Sequence, residues 1–335
     1  MVGSVVSRIS GTGRHLPARV VRNDDLRAWM DTSDDWIATR TGIRERRWVD
    51  GNLGPADLAD PAARAALAAA GCTPADIDLL LFATLSPDLN FPGSGCLLQA
   101  RLGMGTVPAL DLRTQCTGFL YGLATADAWI RSGMARKVLL VGAEVHSSGL
   151  DLSDRGRDVA VLFGDGAGAV VVEASTDTEG PRVIDTLLHA DGTGAELLML
   201  EAPTSRMQPR LTAEMMAEGR HYPRMDGRNV YRHAVARMPE VARALLSRNG
   251  LTTADVDVLV PHQANRRINE RVAQALDIPE DRVVHTIEQW GNTTAASIPT
   301  ALDLAVEDGR IQRGQTVLLL AFGAGLTWGA SLVRW

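Results

Sequence analysis

The sequence predicts an α/β protein built from two copies of one unit, and two observations carry that expectation. Residues 63–83 align without a gap on residues 242–262. Ala63, Arg64, Ala65, Leu67, Gly71, Thr73, Ala75, Asp76, Asp78 and Leu80 each meet the same residue at an offset of 179 residues. Both copies then read in one order: a helix, a Gly cap, a T-x-A-D turn and a buried strand, Leu79–Phe82 in the first and Val258–Val260 in the second. Val138–Gly142 matches Val317–Ala321 at the same offset. An internal repeat fixes geometry that composition leaves open. It divides the chain into residues 1–175 and 176–335, with the polar stretch 173–181 as the link.

The 335 residues, 45% hydrophobic and 22% charged, have the balance of a globular protein able to build a full core. A net charge of −6 argues against a general nucleic-acid binder, which needs a dense cationic face. No run approaches the ~20 apolar residues of a membrane span, and the first residues are too polar and short for a signal peptide. The three cysteines, Cys72, Cys96 and Cys116, show no paired metal-ligand spacing, and a reducing cytoplasm suits them.

In chain order, residues 23–53 concentrate Trp29, Trp36 and Trp48 with Arg40, Arg44, Arg46 and Arg47. They read as an insertion, either a Trp-pinned surface helix or a binding element. Residues 84–95 form a Pro/Gly loop with one large apolar residue, Phe91. In 109–123 an alternating run ends at Cys116, and apolar and small residues then cover every side of a helical wheel. That puts a cysteine at the N-terminus of a buried helix, where unpaired N–H groups and the dipole favour the thiolate. A structural thiol is the alternative, because free cysteine is among the most buried residue types.

Gly164-Asp165-Gly166-Ala167-Gly168 invites a dinucleotide-binding reading, but a strand follows where that fingerprint must open a helix. It reads instead as a tight turn where backbones pass closely. The irregular stretch 191–227 holds Met199, Met207, Met215, Met216 and Met225, which either line an adaptable channel or fill core gaps. His262 stands at a strand end, the side of an α/β sheet where chemistry gathers. Asn292 by default would cap a helix.

Matching Gly133 with Gly309 as helix ends places Cys116 opposite Asn292. Two halves packed about a local two-fold axis then bring Cys116, His262 and Asn292 toward one another. A Cys–His–Asn set also occurs in hydrolases, where Asn orients the His. Two neutral donors facing a thioester-forming Cys suit a reaction that holds a developing enolate oxygen.

With these residues assembled, the chain resembles the β-ketoacyl-acyl-carrier-protein synthase III family of the thiolase-like superfamily. The resemblance runs end to end, through Asp34–Arg44, the Cys116 segment, Asp154–Gly156 with Phe163–Ala169, Val260–Ile268, Gly291–Pro299 and Phe322–Gly329. It implies a five-layered αβαβα fold of two duplicated halves and a cytoplasmic homodimer. The activity implied joins an acyl-CoA primer to malonyl-acyl carrier protein, with no cofactor and no metal.

By the same resemblance Cys116 is the acyl-accepting nucleophile, while His262 and Asn292 hydrogen-bond the malonyl thioester oxygen. The backbone N–H groups of Cys116 and Ala324 form the acyl oxyanion hole, although many relatives have Gly at the latter position. Trp36 and Arg155 clamp the CoA adenine, with Arg40 and Arg267 near the phosphates. Phe91 closes the acyl pocket of a partner copy and Phe163 walls it. Arg232, Arg266, Arg267 and Arg271 make a landing site for an acidic carrier protein, a solvated helix face being the other reading for Arg232 and Arg271.

Degradative thiolases share the fold but use a second cysteine in the C-terminal half, which this chain lacks. Two alternatives stay open: a secondary-metabolism relative taking long, branched or aromatic acyl groups, and a non-catalytic acyl-CoA or carrier-protein binder.

Overall fold

Strands that are apolar along their whole length need cover on both faces, and helices supply it here. A computed structural model describes residues 5–335. The chain opens with β1 (Val6–His15), β2 (Arg19–Arg22), α1 (Asp34–Thr41), β3 (Glu45–Trp48), α2 (Pro55–Ala69), β4 (Leu79–Ala83), α3 (Ser94–Leu102) and β5 (Ala109–Leu112). It continues with α4 (Gly118–Arg131), β6 (Lys137–Glu144), α5 (Arg157–Ala160) and β7 (Gly166–Ser175), and residues 176–181 then lead into β8 (Arg182–Ala190). After β9 (Leu198–Leu200), α6 (Ala213–Ala217) and β10 (Pro223–Met225) come α7 (Gly227–Arg248), β11 (Val258–Pro261) and α8 (Arg266–Ala275). Last are α9 (Ile287–Trp290), α10 (Ser297–Glu307), β12 (Thr316–Gly323) and β13 (Thr327–Arg334).

Five strands make one sheet in the order β1-β7-β6-β4-β5, and four make the other in the order β8-β13-β12-β11. The pairings repeat as well: β6 with β4 and β12 with β11 are parallel, while β7 and β13 each run antiparallel to both neighbours. A counterpart of β5 is reduced to a single bridge, Leu259 with Val283. Between the sheets lie α4 and α10, whose Phe119, Leu120, Leu123, Ile298 and Leu302 are buried against residues of both. The outer faces are covered by α2 and α3 on one side and by α7 and α8 on the other. The result is the five-layered αβαβα arrangement of two duplicated halves.

The repeat extends to individual hydrogen bonds. Asp76 accepts from the backbone N–H of Thr73 at 2.8 Å, and Asp255 from that of Thr252 at 2.8 Å. Asp78 accepts from Lys137 N–H at 2.9 Å, and Asp257 from Thr316 N–H at 2.8 Å, so one carboxylate per half ties the turn to the next strand.

One expectation is corrected. The two central helices begin at Gly118 and Ser297, each after a short 3-10 turn, Gln115–Thr117 and Thr294–Ala296. These starts keep the offset of the earlier repeat, so Cys116 corresponds to Ala295 and not to Asn292. Gly133 and Gly309 misled the alignment because α10 ends about one turn sooner than α4 and a longer connection follows it.

The cross-packing between halves is reciprocal. A Cβ on Gly323, at the end of β12, would fall 2.6 Å from Cys116 Cβ, and one on Gly142 of β6 would fall 2.3 Å from the Ala295 carbonyl oxygen. Each half thus presses the end of a central strand onto the helical turn of the other, which only glycine backbone permits.

The 23–53 insertion forms its own small core around Leu26, Ile37, Ile43 and Trp48, closed by the β2–β3 pair. Trp48 donates its indole N–H to the Phe163 carbonyl at 3.0 Å. The glycine stretch at 164–168 leads into a strand as expected, and Gly168 lies against Pro299 and Thr300 of α10.

Candidate active site

Cys116 lies in the 3-10 turn ahead of α4, 5% exposed, after Gln115 with a φ of 45°. The backbone N–H groups of Ala324 and of Cys116 itself reach its sulfur. Thr117 and Thr327 hold the two loops together through hydroxyls 2.9 Å apart. The position does not favour the thiolate as expected: burial pushes the thiol up to about 12, and the carboxyl of Glu144 adds to the rise. Removal from water outweighs the two N–H groups that favour the ionised form.

His262 extends β11 by one residue, giving its N–H to the Leu320 carbonyl at 2.7 Å. Gln263 shapes the turn beneath it, donating to the Pro261 and Val284 carbonyls and accepting from Thr286 N–H. His262 Nδ1 is 2.6 Å from Ser297 Oγ, and that oxygen already accepts the Gln263 N–H at 3.3 Å. Nδ1 is the one acceptor in reach of the serine proton among the described residues; with that proton on Nδ1, the single proton of the neutral ring sits on Nε2. Burial lowers the His262 pKa to about 3, so the ring is neutral at physiological pH. Nε2 is buried without a protein partner. A buried donor left unmatched is costly unless something else occupies the site.

Asn292 is 5% exposed and is strapped to the other half: its N–H donates to Leu162 O at 2.8 Å, and its carbonyl accepts from Gly164 N–H at 3.1 Å. Its side-chain oxygen accepts the Thr294 N–H at 2.9 Å, which leaves the NH2 end to face outward. In a hydrolase triad this carboxamide would bond to the histidine; here His262 is oriented by Ser297 instead.

All three side chains line one cavity of about 1250 Å³, together with Leu85, His146, Phe163, Thr294, Phe322 and Ala324. The convergence expected from the repeat is present, although the correspondence first used to reach it was off by one helical turn. The cavity lining carries Arg40, Arg113, Arg157, Arg228, Arg232 and Arg267 against one carboxylate, Asp158. A chain that is acidic overall thus presents a cationic cavity, suited to an anionic ligand. No cluster of metal-ligating side chains occurs among the described residues. No helix among them is long and apolar enough to cross a membrane.

Profiles of two parts of one family match the sequence: 3-oxoacyl-[acyl-carrier-protein (ACP)] synthase III over residues 110–192 and its C-terminal part over 246–335. The β-ketoacyl-[acyl-carrier-protein] synthase III of Methylococcus capsulatus is 47% identical over 329 residues, covering 98% of this chain and 99% of that one. The corresponding protein of Xanthomonas campestris is also 47% identical, covering 99% of each. The chain belongs to the β-ketoacyl-acyl-carrier-protein synthase III family.

Solved structures agree. The synthase III of Aquifex aeolicus superposes with a TM-score of 0.89 at 42% identity, covering 98% of this chain and all of that one. A priming β-ketosynthase from the R1128 polyketide pathway has a TM-score of 0.89 at 36% identity, covering 98% and 96%.

For a synthase III, some expected contacts lie elsewhere. Arg155 is not over Trp36: it pairs with Asp151 at 2.6 Å and donates to Ala217 O at 3.1 Å, outside the cavity wall. Trp36 is instead flanked by Arg157 and Arg40, whose guanidinium carbons lie 4.7 and 4.6 Å from its ring centre. The helix α5 begins at Arg157 and turns that side chain inward. Arg40 is anchored from behind, where Asn265, the cap of α8, donates to its carbonyl at 3.0 Å.

Of the four arginines expected for carrier protein, Arg232 and Arg267 border the cavity and Arg271 is exposed. Arg266 is not available, because Glu270, Glu280 and Glu288 surround it at 2.8, 3.2 and 3.7 Å. Phe163 walls the cavity, but Phe91 is 84% exposed and touches no part of its own chain's cavity.

The 191–227 stretch is less irregular than its sequence suggests, since β9 and β10 pair within it. Met199 and Met225 line the cavity, Met215 is buried, and Met207 and Met216 are exposed, so both methionine readings apply in part. Ser297, Thr294, Glu144, His146 and Arg157 were not singled out from sequence. Glu144, a charge ending a wholly apolar strand, was the one legible signal among them.

Proposed function

We propose that this chain is a decarboxylating Claisen condensing enzyme that joins an acyl-CoA primer to malonyl-acyl carrier protein, giving 3-oxoacyl-acyl carrier protein and so initiating fatty acid synthesis. Its two halves are residues 1–175, which bring the nucleophile, and 176–335, which bring the two donors. One observation carries the reading: a thiol from the first half shares a cavity with an imidazole Nε2–H and a carboxamide NH2 from the second, neither of them satisfied within the protein.

In the first half-reaction Cys116 sulfur bonds to the acyl carbon, the carbon–sulfur bond to CoA breaks, and CoA leaves as a thiol with the cysteine proton. The N–H groups of Cys116 and Ala324 receive the negative charge on the acyl oxygen. Burial disfavours a free thiolate, so the proton leaves as the acyl group arrives. In the second, His262 and Asn292 hold the malonyl thioester oxygen, the bond to the carboxylate breaks with loss of CO2, and its electron pair becomes an enolate. The enolate carbon attacks the acyl-cysteine, the carbon–sulfur bond breaks, and Cys116 takes up a proton. Decarboxylation supplies the carbanion, so no external base or cofactor enters.

Trp36 between Arg40 and Arg157 suits an adenine ring, and Arg267 with Arg232 suits the phosphates of CoA or of a carrier-protein arm. The homodimer is supported by β5, an outer strand with an unpaired edge, and by Leu110, Leu89 and Phe91, which are 43%, 50% and 84% exposed nearby. An apolar open edge favours pairing with a second copy, and Phe91 would then reach that copy's acyl pocket. A cytoplasmic site of action is supported by three cysteines that are all free, one serving as nucleophile.

The likeness to the R1128 priming ketosynthase favours, as a second reading, a secondary-metabolism primer for the same chemistry. Intact-mass measurement after incubation with short, branched, long and aromatic acyl-CoAs tests both. A mass gain that is lost in Cys116→Ala supports a condensing enzyme, and the preferred acyl group separates the two readings. Absence of any adduct would leave only a binding protein.

A further inference from the structure

The buried groups around Thr294 form a connected set that the steps above do not use. Thr294 holds a φ of 43°, a backbone region that a β-branched residue rarely enters. Its N–H is the donor that fixes the Asn292 side-chain oxygen, at 2.9 Å. Its hydroxyl lies 2.8 Å from His146 Nε2.

Glu144 is held by Leu85 N–H, Ser86 N–H, Ser86 Oγ at 2.6 Å and Thr84 Oγ1 at 3.1 Å. Four donors converge on one fully buried carboxyl group. His146 is wedged against Phe163, with ring centres 4.6 Å apart. Glu144 and His146 belong to the first half, at and just beyond the end of β6, whereas Thr294 and Asn292 belong to the second.

We propose that Thr294 is a positioning residue for decarboxylation: His146 grips its hydroxyl from across the interface between halves, and its N–H thereby aims the Asn292 carboxamide at the malonyl thioester oxygen. This rests on the functional reading above and adds a residue to it. The tie acts only on the donor that the second half-reaction needs. Acyl transfer to Cys116 uses the N–H groups of Cys116 and Ala324 and does not pass through Asn292. Losing the grip frees Thr294 to leave its unfavourable backbone conformation, and the carboxamide turns with it. Buried polar groups are paired as a rule, and the run of hydrogen bonds from His146 through Thr294 to Asn292 holds one fixed arrangement.

The experiment compares the unsubstituted chain with Thr294→Val and Thr294→Ser in two assays: mass gain on Cys116 from acyl-CoA, and CO2 release from malonyl-acyl carrier protein. Thr294→Val should acylate at a rate near that of the unsubstituted chain and lose CO2 release by on the order of 10²-fold, the cost of misplacing a reacting group. Thr294→Ser, which restores the hydroxyl, should recover most of it. CO2 release in Thr294→Val within a few fold of the unsubstituted chain would overturn the proposal. So would equal losses in both assays that Ser does not repair, because Thr294 would then only support folding. Failure of the unsubstituted chain to release CO2 would instead sink the functional reading, and this inference with it.

Discussion

Gln115 and Thr294 occupy the same point in the two halves, and both hold a positive φ, 45° and 43°, although neither is glycine. Each opens the 3-10 turn that precedes a central helix. Such a residue costs roughly 1–3 kcal/mol and persists only where its surroundings over-determine it. After Gln115 the chain delivers Cys116 to the N–H of Ala324, and at Thr294 it turns a backbone N–H back onto Asn292. The same strained turn carries the cysteine in one half and orients a carboxamide in the other.

The division of labour between halves predicts separable defects. His262→Ala and Asn292→Ala should each still form the acyl-cysteine, while release of CO2 from malonyl-acyl carrier protein falls by roughly 10²- to 10³-fold, the usual cost of deleting an oxyanion donor. Intact mass and a CO2 assay on the same preparations check this. Loss of acylation in either variant would contradict the assignment.

Two buried histidines predict acid lability. Burial lowers both His146 and His262 to about 3, whereas in the unfolded chain each ring takes a proton near pH 6.5. Below that pH the unfolded state binds more protons, so their contribution to stability is complete above about pH 6.5 and is lost as pH falls toward about 3. The slope is up to about 1.4 kcal/mol per pH unit for each ring. Urea unfolding at about pH 7 and about pH 5 should show a weaker dependence in His146→Phe than in the unsubstituted chain. Identical dependences would mean that His146 contributes nothing to it.

Arg157, which with Arg40 faces Trp36, should matter more for CoA affinity than Arg155. Arg157→Ala removes a cation beside the adenine position proposed at Trp36 and should raise KM for acyl-CoA about 10-fold with little change in kcat, a cation–π contact to the adenine being worth up to about 2 kcal/mol. Arg155→Ala removes a half-exposed ion pair with Asp151 and should change KM less than about 3-fold, as surface pairs do. The reverse ranking would show that Arg155 leaves Asp151 when CoA binds.

The unpaired edge of β5 predicts a dimer. Sedimentation should give twice the chain mass, and Phe91→Asp should weaken association and alter acyl-chain preference together, because the side chain would lie in the partner's pocket. A monomeric unsubstituted chain with full condensing activity would remove the role given to Phe91.

Much of the fold was legible because the repeat is local chemistry written twice. The Thr–Asp turns, the Gly caps and the apolar strands each follow from near neighbours, and all recur at one offset. Cys116, His262 and Asn292 were legible as strand-end and helix-start residues, and the same logic placed them in one cleft. It failed for Asn292's partner, since a helix shortened by about one turn shifts every later match.

The sequence alone determined the duplicated α/β plan, the choice of Cys116, His262 and Asn292 as the candidate reacting side chains, and the absence of a second cysteine in the later half. Only the tertiary structure decided which arginine faces Trp36, that Arg266 is consumed by three glutamates, that the thiol is pushed up and not down, and that Thr294 is held from the opposite half. The reason is physical. Turn and helix signals depend on residues a few positions apart, whereas desolvation and charge pairing depend on what the other half places within a few ångströms, and no local pattern encodes that distance.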